Sequence, residues 1–285
     1  MFKTYYQLTK PGIIRGNAIP AIAGFLLACH GTLRYWLLVQ TLIGISLVIA
    51  SGCVFNNYLD RDIDKKMTRT RHRALAEGRV STFQALSYAT VLGILGFAVL
   101  AHYTNSRTVL LGLIGIVFYV IVYGYAKRTS VHGTLVGSIS GALPPVAGYV
   151  AVSDSFNGAA LILFLILVFW QMPHFYAISI YRRKEYAAAG IPVLSVKKGV
   201  AVTKRDMIAY IILFGFAACS LALFRYTGAI YFVTALLLTI IWLYVGVRGL
   251  RTTKNEDRWA KKMFGISLLV LTLLCVAIGV SGILA

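Results

Sequence analysis

Nine apolar stretches, each close to the length a helix needs to cross a bilayer, leave this chain few ways to fold. They run over 13–29, 36–57, 82–101, 108–126, 133–151, 159–181, 207–224, 228–247 and 262–284. About 20 apolar residues in a helix span a hydrocarbon layer about 30 Å thick. No water reaches that layer, so each segment must satisfy its own backbone groups, and long apolar runs there are helices. A membrane β-barrel would show alternating segments of about ten residues instead, and the sequence has none. The fold class is therefore an all-α integral membrane protein, with residues 1–285 forming a single polytopic domain. Charged residues make up only 13% of the chain, about half the usual share of a soluble domain.

The formal net charge of +19 would suggest a nucleic-acid partner in a soluble protein. Its placement argues against one. With the N-terminus in the cytoplasm, all Lys and Arg except Arg34, Arg107 and Arg225 fall on the cytoplasmic side. That asymmetry orients membrane proteins, and it holds only if the count of spans is nine. It puts 58–81, 127–132, 182–206 and 248–261 in the cytoplasm and the C-terminus outside. Lys3, Lys10 and Arg15 ahead of an apolar run imitate a signal peptide, and Leu26-Leu27-Ala28-Cys29 imitates a lipoprotein cleavage site. Asn17 and Pro20 interrupt that run, so the first span is expected to be retained. Cys29, Cys53, Cys219 and Cys275 lie in apolar segments at no metal-ligand spacing and read as small buried hydrophobes.

Nine acidic residues serve the whole chain, and three of them are Asp60, Asp62 and Asp64. On a helix Asn56, Asp60 and Asp64 share one face, while Asp62 turns roughly to the other side. Carboxylates on one face repel unless a cation joins them. Hard oxygen donors suit Mg²⁺, which typically takes one or two carboxylates together with substrate phosphates. Lys65, Lys66, Arg69, Arg71 and Arg73 follow at once, the order expected of a metal-bridged diphosphate. A solvated helix end with ordinary positive-inside charges is the plainer alternative.

A second polar concentration interrupts the sixth span at Gln171 and His174, with Pro173 expected to kink the helix. An ionisable group inside a span is a functional candidate, and the alternative for His174 is a hydrogen bond to a neighbouring helix. Tyr119, Tyr123 and Tyr125 lead into Lys127 and Arg128, either as interfacial belt residues or as part of a site. The fifth span, with Gly137, Gly141, Pro144, Pro145 and Gly148, would approach its neighbours closely or unwind beside a cavity.

Asn56-x3-Asp60-x3-Asp64, followed by Arg69-Thr70-x2-Arg73, resembles the first aspartate motif of the UbiA-type intramembrane prenyltransferases. Trp170-Gln171-x-Pro173-His174-Phe175, Tyr181-x2-Lys184 and Gly190-Ile191-Pro192-Val193-Leu194 resemble the protohaem IX farnesyltransferase (haem O synthase) branch. The likeness runs from Thr9-Lys10-Pro11 to the ninth span. Most of the superfamily carries a second DxxxD after the sixth span; here that stretch reads Tyr181-Arg182-Arg183-Lys184-Glu185. The departure questions a second metal, and Lys184 would supply its charge.

The resemblance implies nine transmembrane helices bundled around a central cavity, and the transfer of a farnesyl group from farnesyl diphosphate to haem b. It implies Mg²⁺ on Asn56, Asp60 and Asp64, diphosphate contacts from Arg69, Arg73, Lys127, Arg128 and Lys184, and Tyr123 beside the allylic cation. It places haem against His174, Gln171 and Tyr181, with hand-over of product to a haem A synthase or a terminal oxidase. No transit peptide is evident, so the location implied is the inner (plasma) membrane of a bacterium. Two rivals stand beside this reading. One is a prenyltransferase acting on an aromatic acid or quinone precursor, for which the second DxxxD is missing. The other is a transporter, whose ionisable groups would sit near the midplane and not at one face.

Overall fold

The structure, a computed structural model, describes residues 2–284. Among them nine helices are long and apolar enough to cross a membrane. They are α1 (Pro11–Cys29), α2 (Tyr35–Leu59), α3 (Thr82–Tyr103), α4 (Ser106–Thr129), α5 (Gly133–Ser153), α6 (Gly158–Tyr181), α7 (Gly199–Leu223), α8 (Ala229–Leu250) and α9 (Glu256–Leu284). No strand occurs among the described residues. Polar residues in the loops start several of these helices. Ser81 and Gln84 form a reciprocal capping box at α3, and Asn157 accepts from the Ala159 and Ala160 amides at α6.

Helix α1 packs on α5 and on α9, so the last helix closes the bundle against the first; α9 also packs on α6 and α8. Helix α6 is the most enclosed and α4 the least. Outward-facing Ile94, Ile121, Phe216, Ile230 and Val276 are exposed, a surface that hydrocarbon covers at no cost. The close approach of α1 and α5 depends on glycine. A Cβ at Gly148 would run into the backbone carbonyl of Ala21, and one at Gly24 into that of Pro145.

Helix α5 breaks at Ala142, between Gly133–Gly141 and Leu143–Ser153, in keeping with its Gly and Pro-Pro content. Pro173 does not end α6, which runs through it without interruption. Two helices begin earlier than hydropathy indicates, at Gly199 where 207 was expected and at Glu256 where 262 was. Hydropathy reports only the apolar part of a helix. The polar first turns of α7 are held by Lys204, which donates to Glu256 at 2.8 Å and to the Thr252 carbonyl at 2.6 Å. Helix α4 carries a π-helical turn at Phe118–Val122, a local irregularity that often marks functional sites.

Candidate active site

Helix α2 ends at Leu59, and Asp60 (φ −86°, ψ 0°) joins it to a short helix, Arg61–Lys66. The i→i−4 ladder survives the junction. The Asp60 amide donates to the Asn56 carbonyl at 2.9 Å, and the Asp64 amide to that of Asp60 at 2.7 Å. The register therefore carries through, leaving Asn56, Asp60 and Asp64 buried in one row and the Asp62 side chain outside.

Each member of that row is met by its own cation. Lys10 Nζ donates to Asn56 Oδ1 at 2.7 Å, and Lys127 Nζ to Asp60 Oδ2 at 2.6 Å. Arg73 Nη1 donates to both oxygens of Asp64, at 2.9 and 2.8 Å. The neighbour of Lys127, Arg128, instead forks onto both oxygens of Asp62 at 2.8 Å. Arg128 also comes within 3.9 Å of Asp60 Oδ1, so of these two consecutive cations of α4 Lys127 hydrogen-bonds the inner carboxylate and Arg128 chiefly the outer one. That guanidinium holds the Asp62 carboxyl well below the usual carboxylate range.

Lys10 takes part in ways its place in the sequence did not disclose. It sits in the left-handed region (φ 51°, ψ 68°) directly before Pro11, a conformation that costs a non-glycine residue about 1 kcal/mol or more. Burial lowers its ammonium to about 8, with opposing influences from Asp60, Arg73 and Lys127. The Lys-Pro pair at a helix start was the only local signal, and it also fits an ordinary positive-inside charge.

The donors suit a divalent cation that arrives with its substrate. Among the described residues no three or more His, Cys, Asp or Glu side chains group as a metal cage. Asp60 Oδ1 and Asn56 Nδ2 are buried without a hydrogen-bond partner. Two carboxylates, one with a buried oxygen that takes no hydrogen bond, match the usual Mg²⁺ habit of completing its shell from phosphates and water.

Tyr119 and Tyr123, four residues apart across the π-helical turn, stack at 6.0 Å. Both are partly accessible and lie near Asp60. Tyr123 lies against Gly137 of the broken α5. Tyr186, just past α6, stands near Tyr123, Arg69, Lys127 and Arg182, and burial pushes its phenol up.

Other expected residues lie apart. Arg69 and Lys184 are exposed and pair with no carboxylate among the described residues. In the stretch that replaces the second DxxxD, Glu185 is the residue turned inward. Its Oε1 pairs with Arg182 at 2.9 Å, and its Oε2 is buried without a partner. Gln171 Nε2 donates to the Ser138 and Leu167 carbonyls, each at 3.0 Å, and a Cβ at Gly141 would strike its side-chain oxygen. His174 stacks on Trp170 at 4.6 Å and lies 4.8 Å from Phe264 of α9. Tyr181 meets the same Phe264 edge-on at 6.3 Å.

The description "UbiA prenyltransferase family" matches residues 17–280. A protoheme IX farnesyltransferase of Citrobacter koseri is 51% identical over 281 residues, covering 98% of this chain and 95% of that protein. One of Escherichia coli is 52% identical over 282 residues with the same coverage. Among solved structures, a digeranylgeranylglyceryl phosphate synthase superposes with a TM-score of 0.82 at 19% identity, covering 99% of this chain and 98% of its own. A UbiA homolog from Archaeoglobus fulgidus, bound to GPP and Mg²⁺, gives 0.70 at 16% identity, covering 96% and 99%. At such identities these two likenesses concern the fold.

Proposed function

The chain belongs to the UbiA prenyltransferase family, and we propose that it is a protohaem IX farnesyltransferase, joining farnesyl to a vinyl group of haem b to give haem O and diphosphate. The observation that carries the chemistry is the buried Asn56–Asp60–Asp64 row, with each member matched to one cation. A diphosphate is the group that needs both halves of that arrangement. The haem assignment follows from kinship at about half identity over nearly the whole chain.

Asp60 and Asp64 would hold Mg²⁺, which would supply positive charge to offset the charge of the leaving diphosphate. The rest falls to side chains of the chain. Lys10, Lys127 and Arg73 turn from the acidic row to the phosphate oxygens as the substrate enters, so their charge meets the leaving group where it develops. The C1–O bond of the farnesyl group breaks and its electron pair leaves with diphosphate. Tyr119 and Tyr123 present π faces to the allylic cation, in a space that keeps water away until the vinyl π pair attacks C1. The cation then formed on the haem side takes up water and releases a proton, which completes the hydroxyethyl carbon. His174, Gln171 and Tyr181 belong to the haem side, with His174 as axial ligand through neutral imidazole. Lys184 and Arg69, both exposed, reach the diphosphate only if their segments fold over it.

Diphosphate release tests the reading against its rival. With farnesyl diphosphate and Mg²⁺, release should depend on added haem b and not on an aromatic acid. Release driven by the aromatic acid would overturn it. Lys10→Met should raise the farnesyl diphosphate dissociation constant about tenfold, the worth of a charge-assisted hydrogen bond, and leave haem binding alone. An unchanged constant would remove Lys10 from the site.

The chain is a multi-pass membrane protein, and its place in this reading is the bacterial plasma membrane, residues 1–285 acting as a single polytopic domain. The N-terminus and the acidic row lie on the cytoplasmic side, where diphosphate departs into water. The C-terminus lies outside. In a cysteine-free background, cysteines at Glu77 and Lys254 should react with an impermeant thiol reagent only from the cytoplasmic side; labelling of Glu77→Cys from outside alone would reverse the topology. Product hand-over to a haem A synthase or a terminal oxidase completes the proposed setting.

A further inference from the structure

His174 reaches α9 through one hydrogen bond, and the geometry of its partner determines where the imidazole proton sits. His174 Nδ1 lies 2.7 Å from Ser267 Oγ. Ser267 Oγ lies 2.6 Å from the Phe264 carbonyl, which can only accept. The single hydroxyl proton is therefore spent on Phe264, and Ser267 Oγ can join His174 only by accepting. It follows that Nδ1 carries the proton and that the lone pair of neutral His174 is on Nε2, which has no hydrogen-bond partner among the described residues. Ser267 is fully buried, so water does not compete for its oxygen.

The surroundings hold both partners in place. Trp170, one turn before His174, donates its indole N–H to the Ser267 backbone carbonyl at 2.7 Å. The imidazole lies between Trp170 and Phe264, with ring centroids 4.6 and 4.8 Å away. Two consecutive turns of α6 thus grip a single residue of α9. A metal-binding histidine typically donates its other ring N–H to a fixed acceptor, which sets tautomer and ring orientation.

We infer that Ser267 is a positioning residue for the transfer: it fixes His174 as the Nδ1–H tautomer, so that Nε2 is the nitrogen offered to the iron of the haem substrate. This rests on the reading of His174 as an axial ligand. A ligated iron would hold the porphyrin in one orientation, so that one vinyl group is kept facing the farnesyl carbon. Ser267 acts only through His174 and touches neither substrate.

The test is a titration of the purified full-length protein with haem b, following the haem absorption spectrum. It compares wild type with His174→Ala, Ser267→Ala and the nearly isosteric Ser267→Cys, whose sulfur is a poor acceptor. Both Ser267 variants should raise the haem dissociation constant about 10- to 100-fold, as loss of such a hydrogen bond does at metal sites. They should also move the spectrum towards that of His174→Ala, with farnesyl diphosphate binding unchanged in all three. Should Ser267→Ala fail to insert, Ser267→Cys decides. If His174→Ala alters the spectrum while the Ser267 variants keep the wild-type spectrum and affinity, Ser267 has no positioning role. If His174→Ala itself leaves the spectrum unchanged, the axial-ligand reading falls, and the role of Ser267 falls with it.

Discussion

Replacing Asp60 or Asp64 by Asn is expected to lower turnover by at least about 10²-fold, about 2.7 kcal/mol of transition-state stabilisation. Each change removes a hard anionic donor from the buried row and leaves a cation without its partner, Lys127 in one case and Arg73 in the other. Uncompensated charge in a buried place is costly, so both variants should also unfold at lower temperature while still inserting. Asp62→Asn is the control. Its side chain is 59% exposed and its partner Arg128 is itself a third exposed, an arrangement worth little to stability. Its turnover should stay within a few-fold of wild type. Equal losses at all three positions, measured as diphosphate release, would contradict the division into an inner row and an outer carboxylate.

Gly148→Ala is expected to destabilise the bundle by about 1–3 kcal/mol, the usual cost of overpacking, or to block its assembly. The added Cβ has nowhere to go, because it meets backbone of α1 and not a side chain that can rotate away. Gly16→Ala makes the same chemical change in α1 where nothing lies within 4 Å. It should be neutral or stabilising by a few tenths of a kcal/mol, since alanine favours the helix. Thermal unfolding in one detergent separates the two. Equal melting temperatures would mean that α1 and α5 do not touch along this seam.

Features carried by residues close together in the chain are legible in the sequence. The nine spans follow from local hydropathy, the one-sided row from helical periodicity, and the break in α5 from its Gly and Pro residues. Features that depend on distant chain segments meeting are not. Lys10 and Asn56 are 46 positions apart, Asp60 and Lys127 are 67, and His174 and Ser267 are 93. Periodicity gives no warning of such pairs. For that reason Lys10 reads as a topology charge, and Ser267 as one more small residue in an apolar helix. The stretch at 181–185 differs: the family resemblance points to Lys184 in place of a second metal, and the structure adds Glu185, whose Oε2 is buried without a partner. The π-helical turn at Phe118–Val122 has no sequence signature, since any apolar run can carry it.

Mass spectrometry of haem recovered from the purified protein, after incubation with haem b, farnesyl diphosphate and Mg²⁺, tests the central claim most directly. The account predicts a haem heavier by one farnesyl group and one hydroxyl, formed in step with diphosphate and lost in Asp60→Asn. Haem b recovered unchanged, while diphosphate is released from a protein shown to bind both substrates, would contradict it.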